Sequence, residues 1–203
     1  MHNMNRIILI GAFLTNTLML FGQNQPNVFL SFAEFEEKKP SEYVDFKLKH
    51  RTEGDVFMAG GVTNYRIKKV LPSSQKERMI KEVWGVLIND TVYINSYPYA
   101  NMFGYDKIIE KGYYTFFIAQ PSYSKKKQIE LGIINEDEKV KQVCCTTGYV
   151  IMPDGTVKWL NPELLKTLIA DNKKLMYELE LKDLNQENVY EMFDIIRRYN
   201  KSK

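Results

Sequence analysis

The chain contains few residues whose chemistry supports catalysis, and its two cysteines are the most reactive of them. Cys144 and Cys145 are adjacent and are the only cysteines present. Adjacent residues of a strand point to opposite faces, so this pair cannot join two distant segments by a disulfide. Two interpretations stay open: one packed and one outward thiol, or a redox-sensitive vicinal pair in an oxidising compartment.

The sequence lacks most of the residues and motifs that nucleophilic catalysis and metal binding usually require. Histidine occurs only at His2 and His50. The cationic neighbours of His50, Lys49 and Arg51, oppose protonation of its imidazole. The sequence has no Gly-x-Ser-x-Gly elbow, His-Glu-x-x-His pair or phosphate-binding glycine loop. We therefore predict no metal site and no cofactor.

Carboxylates are the remaining route to catalysis. A glycosidase needs only two of them, and the chain has 25 acidic residues. Glu34, Asp90 and Asp106 lie at positions that favour helix capping and turns, and the sequence singles out no pair. It therefore favours a noncatalytic protein, with a secreted or periplasmic hydrolase that uses a carboxylate pair as the alternative.

A concentration of aromatic residues favours a binding function. Nine tyrosines and phenylalanines fall between residues 93 and 117. Exposed tyrosines provide rigid contact area with a hydrogen-bonding tip, which suits glycan or protein surfaces. The alternative is that aromatic residues on strands simply build the core. The candidate binding residues are Tyr97, Tyr99, Phe103 and Tyr105.

The first 22 residues have the pattern of a secretory signal peptide. Residues 1–6 carry Arg6 and no acid, residues 7–21 are largely apolar, and a polar stretch follows Gly22. The apolar run is shorter than the roughly 20 residues that cross a bilayer, and no cysteine near the boundary provides a lipoprotein anchor. We expect cleavage near Gly22 and a secreted or periplasmic product that is not a lipoprotein. The alternative is a cytoplasmic protein with a buried N-terminal helix.

Residues 23–203 predict a single domain of nearly neutral charge. Loss of Arg6 with the leader lowers the formal net charge from +3 to +2, and charges of both signs are mixed along the chain. The run of three lysines at 125–127 is too short for a nucleic-acid tract. We therefore predict no nucleic-acid partner, and no membrane span after cleavage.

Residues 43–160 are rich in β-strand patterns. Alternating apolar and polar residues predict about eight strands, mostly linked by short turns. Asn89 and Asp90 tolerate positive φ and form the predicted turn of one hairpin, and Lys111 and Gly112 that of another. An antiparallel meander of this length is expected to curl or partly close. Strand patterns begin around Val44–Leu48 and over Val62–Val70, and they are densest between Glu82 and Gln120. The later predicted strands are Val83–Ile88, Thr91–Asn95, Tyr105–Glu110, Tyr113–Ala119, Gln128–Ile134, Val140–Ile151 and Thr156–Leu160.

Helical patterns flank these strands. The capping box Ser31-Phe32-Ala33-Glu34 predicts a short helix from Phe32 to Lys38. Residues 161–200 have helical periodicity, with Asn161 as a cap, Pro162 at the first helical position, and Asp171-Asn172 as a break or a bend. The last helix is predicted to begin at Asn185. We expect these amphipathic helices to cover a face or an open edge of the sheet.

Several segments resemble uncharacterised secreted proteins that are common in Bacteroidetes. The resemblance implies a Gram-negative envelope or exterior and provides no active-site residues. The segments that carry it are Phe29–Phe35, Trp84-Gly85, Tyr93–Asn95, Gly112–Tyr114, Leu168–Asn172 and Tyr199–Lys201.

These observations predict an α+β protein with a curled antiparallel meander sheet, partly open and barrel-like, on which C-terminal amphipathic helices pack. The predicted function is that of an exported, noncatalytic binding or envelope-associated module. Its expected partner is an envelope protein or a glycan.

Overall fold

The computed structural model describes residues 25–52, 64–100, 104–119, 147–185 and 188–203. The predicted leader and the predicted strand Gln128–Ile134 lie outside these residues. The strands are β1 (Val28–Phe29), β2 (Asp45–His50), β3 (Tyr65–Leu71), β4 (Gly85–Ile88), β5 (Thr91–Asn95), β6 (Tyr105–Glu110), β7 (Thr115–Ala119), β8 (Thr147–Ile151) and β9 (Val157–Trp159). The helices are α1 (Phe32–Glu36), α2 (Lys76–Lys81), α3 (Tyr97–Ala100), α4 (Pro162–Leu168), α5 (Lys173–Glu180) and α6 (Val189–Asn200).

The described strands form one antiparallel sheet that branches at β6. The main path runs β1-β4-β5-β6-β7-β8-β9, while β3 pairs with both β2 and β6. Tyr105, at the start of β6, pairs with Tyr65 of β3, whereas Ile108 and Glu110 pair with β7. The sheet curls into a half-barrel. The predicted fold class, α+β with a curled meander sheet, is confirmed.

The hairpin formed by β4 and β5 follows directly from its turn residues. Asn89 and Asp90 adopt φ values of 46° and 61°, and Ile88 pairs with Thr91 on either side of them. Asparagine and aspartate reach the left-handed region more readily than other non-glycine residues, and a two-residue turn of this kind matches strand twist. The predicted hairpin is confirmed.

Helices α4, α5 and α6 cover one face of the curled sheet, as predicted. The ring of Phe116 on β7 stacks on that of Phe193 on α6, with centroids 4.3 Å apart. Gly148 of β8 allows the close approach of α6, because a Cβ at this position would lie 2.9 Å from Val189 Cγ1. No helix among the described residues has the length and apolarity needed to cross a membrane.

Asparagine side chains cap the N-termini of α4 and α5. Asn161 caps α4 by accepting a hydrogen bond from the Leu164 N–H at 2.7 Å. Asn172 caps α5 in the same way, so the predicted interruption at this point is a break. The last helix begins at Val189 and not at the predicted Asn185, whose N–H instead donates to the Asn188 side chain.

Helix α1 packs on the opposite face of the sheet, since its Phe35 clusters with Phe117 of β7 whereas the neighbouring Phe116 faces α6. Ser31 accepts from the Glu34 N–H, as the capping box predicts, and the Glu34 carboxylate accepts from the Leu30 N–H at 2.7 Å. The helix ends at Glu36, earlier than predicted, and Lys38 has a φ of 56°. Its buried Phe35 belongs to an apolar cluster that also contains Phe29, Ile94, Ile108, Phe117, Ala119, Tyr149 and Ile151.

Candidate functional site

A cleft of about 610 Å³ lies between α1, the hairpin of β4 and β5, and β6. This volume falls in the range of about 300 to 1,000 Å³ that is typical of small-molecule sites. We refer to it as the α1–β6 cleft. It is lined by Phe29, Phe35, Lys38, Leu87, Asp90, Thr91, Val92, Lys107, Ile108, Ile109, Glu110 and Lys111.

The floor of the α1–β6 cleft is apolar and supported by ring packing. Phe35 stacks on Trp84, with centroids 4.8 Å apart and an interplanar angle of 28°. Phe29 meets both rings edge-on. Because Phe29 and Phe35 are only 2% and 3% exposed, they support the floor from below, and the more accessible part comes from Leu87 and Val92. The floor is therefore formed before any ligand binds.

Lys111 holds α1 in place at one end of the cleft. Its Nζ donates to the carbonyl oxygens of Phe35 and Glu36 at 3.2 and 3.1 Å and lies 3.2 Å from Glu36 Oε1. It also lies 4.4 Å from the centroid of the Phe35 ring. A cation at the last carbonyls of a helix is favourable, because these carbonyls have no partner within the helix. Lys111 thus has a positioning role.

A β-bulge in β6 shapes the opposite wall. Ile108 and Glu110 pair with the consecutive residues Phe117 and Phe116, which leaves Ile109 as the extra residue. Ile109 is 42% exposed. Bulges of this kind redirect side chains and are frequent next to binding sites.

Some charged side chains at the rim of the cleft have an ion-pair partner among the described residues, and others have none. Glu110 accepts a hydrogen bond from Arg197 Nε at 2.6 Å, and Lys111 is bound to α1. Among the described residues, no ion-pair partner occurs for Lys38, Lys107 or Asp90, all of which are exposed. The available rim therefore carries two cations and one carboxylate.

A smaller crevice of about 210 Å³ adjoins the cleft across β6. Lys107 and Ile109 line both depressions. The other walls of the crevice are formed by His50, Asn64, Tyr65, Ile118 and Tyr190. The imidazole of His50 contacts the ring of Tyr65 edge-on at 4.9 Å, so this histidine is placed against an aromatic ring.

Asp106 is a buried carboxylate at the branch of the sheet. One of its oxygens accepts hydrogen bonds from the backbone and the side chain of Asn64, and the other accepts from the Ser96 hydroxyl. Burial raises the pKa of Asp106 to about 6, although these hydrogen bonds and the charge of Arg51 act to lower it. Asp106 is the only fully buried acid among the described residues. No cluster of three potential metal ligands occurs in that part of the chain.

The predicted binding tyrosines lie away from both depressions. Tyr97 and Tyr99 are half-buried on α3, where the Tyr97 N–H donates to Asn95 Oδ1 and the Tyr99 ring packs 6.4 Å from that of Phe117. Burial raises the pKa of Tyr99.

One of the predicted binding residues belongs to the core. Tyr105 is fully buried, and its hydroxyl donates to the Met79 carbonyl oxygen. The alternation of β6 directs this side chain inward, so Tyr105 offers no surface to a partner. Phe103, Cys144 and Cys145 lie outside the described residues, and the binding and redox predictions made for them stay predictions.

The sequence predicts the separate elements that form the cleft, but no sequence pattern predicts that these elements pack together. The capping box of α1 and the Asn89-Asp90 turn are both visible in the sequence. The pairing of β1 with β4, which brings α1 against the hairpin, joins segments almost 60 residues apart. No local pattern encodes such a pairing.

Comparison with known protein families shows the family to which the chain belongs. A family model described as "Family of unknown function (DUF6563)" matches residues 27–203. The chain belongs to this family. No curated protein and no solved structure matches it. The predicted membership of an uncharacterised family is confirmed. The description of DUF6563 names no activity.

Proposed function

We propose that the protein is an exported, noncatalytic binding module whose ligand occupies the α1–β6 cleft. The observation that carries this proposal is a preformed cleft with an apolar floor, closed at one end by a helix that Lys111 holds in place. Preformed apolar clefts with a few polar groups at the rim are the usual form of ligand sites. The leader pattern of residues 1–22 supports export to the periplasm or the exterior.

Binding is favoured over catalysis by the state of the carboxylates. A hydrolase with a carboxylate pair needs two acids facing the same cleft. Asp106 is buried and accepts three structural hydrogen bonds, and it does not line the cleft. Of the two acids that do line it, Glu110 is paired with Arg197 and Asp90 is exposed on a turn. No observation among the described residues therefore favours the hydrolase.

Binding at the cleft can be tested with anilinonaphthalene sulfonate, a fluorescent apolar anion, on the purified protein. Leu87→Gln places a polar group in the floor, and Leu181→Gln makes the same change at a site 70% exposed at the end of α5. We expect Leu87→Gln to weaken probe binding at least fivefold and Leu181→Gln to leave it unchanged. Equal binding by the two variants would overturn the proposed site. Urea unfolding of both variants verifies that each is folded.

Export is tested separately by cell fractionation and intact-mass measurement of the native protein. We expect the protein in the envelope or in the medium, without the residues up to about Gly22. A cytosolic protein that retains Met1–Gly22 would refute export and leave the cleft proposal standing.

A further inference from the structure

We propose that the ligand of the α1–β6 cleft is a single-chain amphiphile with a carboxylate head group, of the class of long-chain fatty acids. This inference rests on the proposed function and specifies its ligand.

The accessible floor is suited to an alkyl chain. Its accessible apolar side chains, Leu87 and Val92, are aliphatic, as is Ile109 in the neighbouring wall. Glycan sites instead present the flat face of an exposed aromatic ring with hydrogen-bonding groups around it. The rings at this site, Phe29 and Phe35, are buried beneath the floor and offer no such face. Burial of methylene groups against aliphatic side chains is therefore the main gain in free energy available here.

The rim is suited to an anionic head group. Lys38 follows α1 and Lys107 lies on β6, so exposed ammonium groups come from two different walls of the cleft. Neither has an ion-pair partner among the described residues. The Glu110 carboxylate, which would otherwise repel an anion, is neutralised by Arg197 at 2.6 Å. Asp90 is then the one unpaired acid of the described rim, and the two lysines outweigh it.

The head group and the alkyl chain contribute separately to the binding free energy, so the test changes the contacts of each one in turn. The probe is cis-parinaric acid, a fluorescent long-chain fatty acid, and the comparison ligand is its neutral methyl ester. Titrations use the purified wild type, the Lys38→Gln/Lys107→Gln variant, and Lys68→Gln, which changes an exposed lysine of β3 outside the cleft. The Leu87→Gln variant is included as a lesion of the floor.

We expect the acid to bind the wild type about tenfold more tightly than the ester, as charge-assisted contacts predict. The double lysine variant should lose this preference and bind the ester normally, whereas Lys68→Gln should behave as the wild type. Increasing the salt concentration should weaken binding of the acid to the wild type and have little effect on the double variant. Leu87→Gln should weaken binding of both ligands.

Three results of the titrations would overturn the inference. One is equal affinity for acid and ester, another is a preference for the acid that survives in the double lysine variant, and the third is no binding of either. If neither ligand binds while anilinonaphthalene sulfonate still does so in a Leu87-dependent manner, the fatty-acid inference fails and the proposed binding function stands. Displacement of that probe by phosphatidylglycerol vesicles and not by the fatty acid would point to a membrane surface and would equally refute the inference.

Discussion

Asn64 donates both its backbone N–H and its side-chain amide to the same oxygen of Asp106, each at 2.7 Å. The side chain also donates to the carbonyl oxygen of Ile118 at 3.0 Å. Asn64 directly precedes β3, and Ile118 belongs to β7, so this link lies where the two strands diverge from β6. A branched sheet leaves backbone groups without strand partners at the fork, and Asp106 and Asn64 satisfy some of them.

The buried Asp106 should make the free energy of unfolding depend on pH. Its pKa of about 6 lies above the ordinary value of 3.8, so the native state binds the proton more tightly than the unfolded state. The resulting stabilisation is fully present below about pH 4 and is lost as the pH rises through about 6, which amounts to about 3 kcal/mol. Asp106→Asn should remove this dependence, because an amide can accept from Asn64 and donate to Ser96. Urea unfolding from pH 4.5 to 7.5 measures the difference between variant and wild type.

Ser96→Ala provides the second arm of this experiment. The Ser96 hydroxyl lowers the pKa of Asp106 by donating to its carboxylate. Its removal should raise the pKa of Asp106 further, so the loss of stability should still begin near pH 4 but extend to higher pH. Parallel stability curves for wild type and Asp106→Asn would show that Asp106 does not titrate in this range.

Asp106 also illustrates what the sequence can and cannot predict. The strand that carries it, Tyr105–Glu110, and the neighbouring strand Thr91–Asn95 have the bounds predicted from alternation, because period-two patterns and turn residues act locally. The other strand of that hairpin begins at Gly85, two residues later than predicted. The sequence assigned Asp106 to a capping or turn role, whereas the structure buries it in the sheet. Its environment depends on Asn64 and Ser96, which reach it through non-local pairing. Strand β1 and helix α2 also escaped prediction, since each is too short to show a period.

The attachment of α1 by Lys111 should be measurable as stability. Lys111→Met keeps an apolar stem on the Phe35 ring and removes the ammonium group from the carbonyls of Phe35 and Glu36. We expect the free energy of unfolding to fall by about 1 kcal/mol, the usual value for an exposed ion pair together with a helix-terminal charge. Lys68→Met, at an exposed site on β3, is the matched control in urea unfolding. A loss no larger than that of the control would contradict the attachment.

Two segments that carry the family resemblance meet in the structure. Asn200 at the end of α6 donates to the Tyr114 carbonyl oxygen at 2.8 Å and accepts from the Tyr114 N–H at 2.9 Å. A Cβ on Gly112 would lie 2.7 Å from Asn200 Cγ, so this glycine leaves room for the asparagine. We expect Asn200→Ala to lower the free energy of unfolding by about 2 kcal/mol, because it removes two hydrogen bonds from a buried residue.

A double-mutant cycle separates this contact from unrelated effects. Gly112→Ala alone should be destabilising, since the new methyl group displaces Asn200. In the Asn200→Ala background the same change should cost much less, which gives a coupling energy of about 1 kcal/mol or more. Additive effects in chemical denaturation would mean that Gly112 and Asn200 do not act together.

Tyr99 should contribute to thermal stability, in contrast to an exposed binding residue. Its half-buried ring packs against Phe117 and the apolar cluster to which Phe117 belongs. Tyr99→Ala removes this packing and should lower the thermal midpoint by about 5 °C, if truncation costs about 2 kcal/mol in a chain of this size. Tyr99→Phe keeps the ring and should change the midpoint little. Differential scanning calorimetry measures the thermal midpoint of each variant. A drop confined to Tyr99→Ala would assign the ring to the core. Equal midpoints for Tyr99→Ala and wild type would instead return Tyr99 to the candidate binding surface.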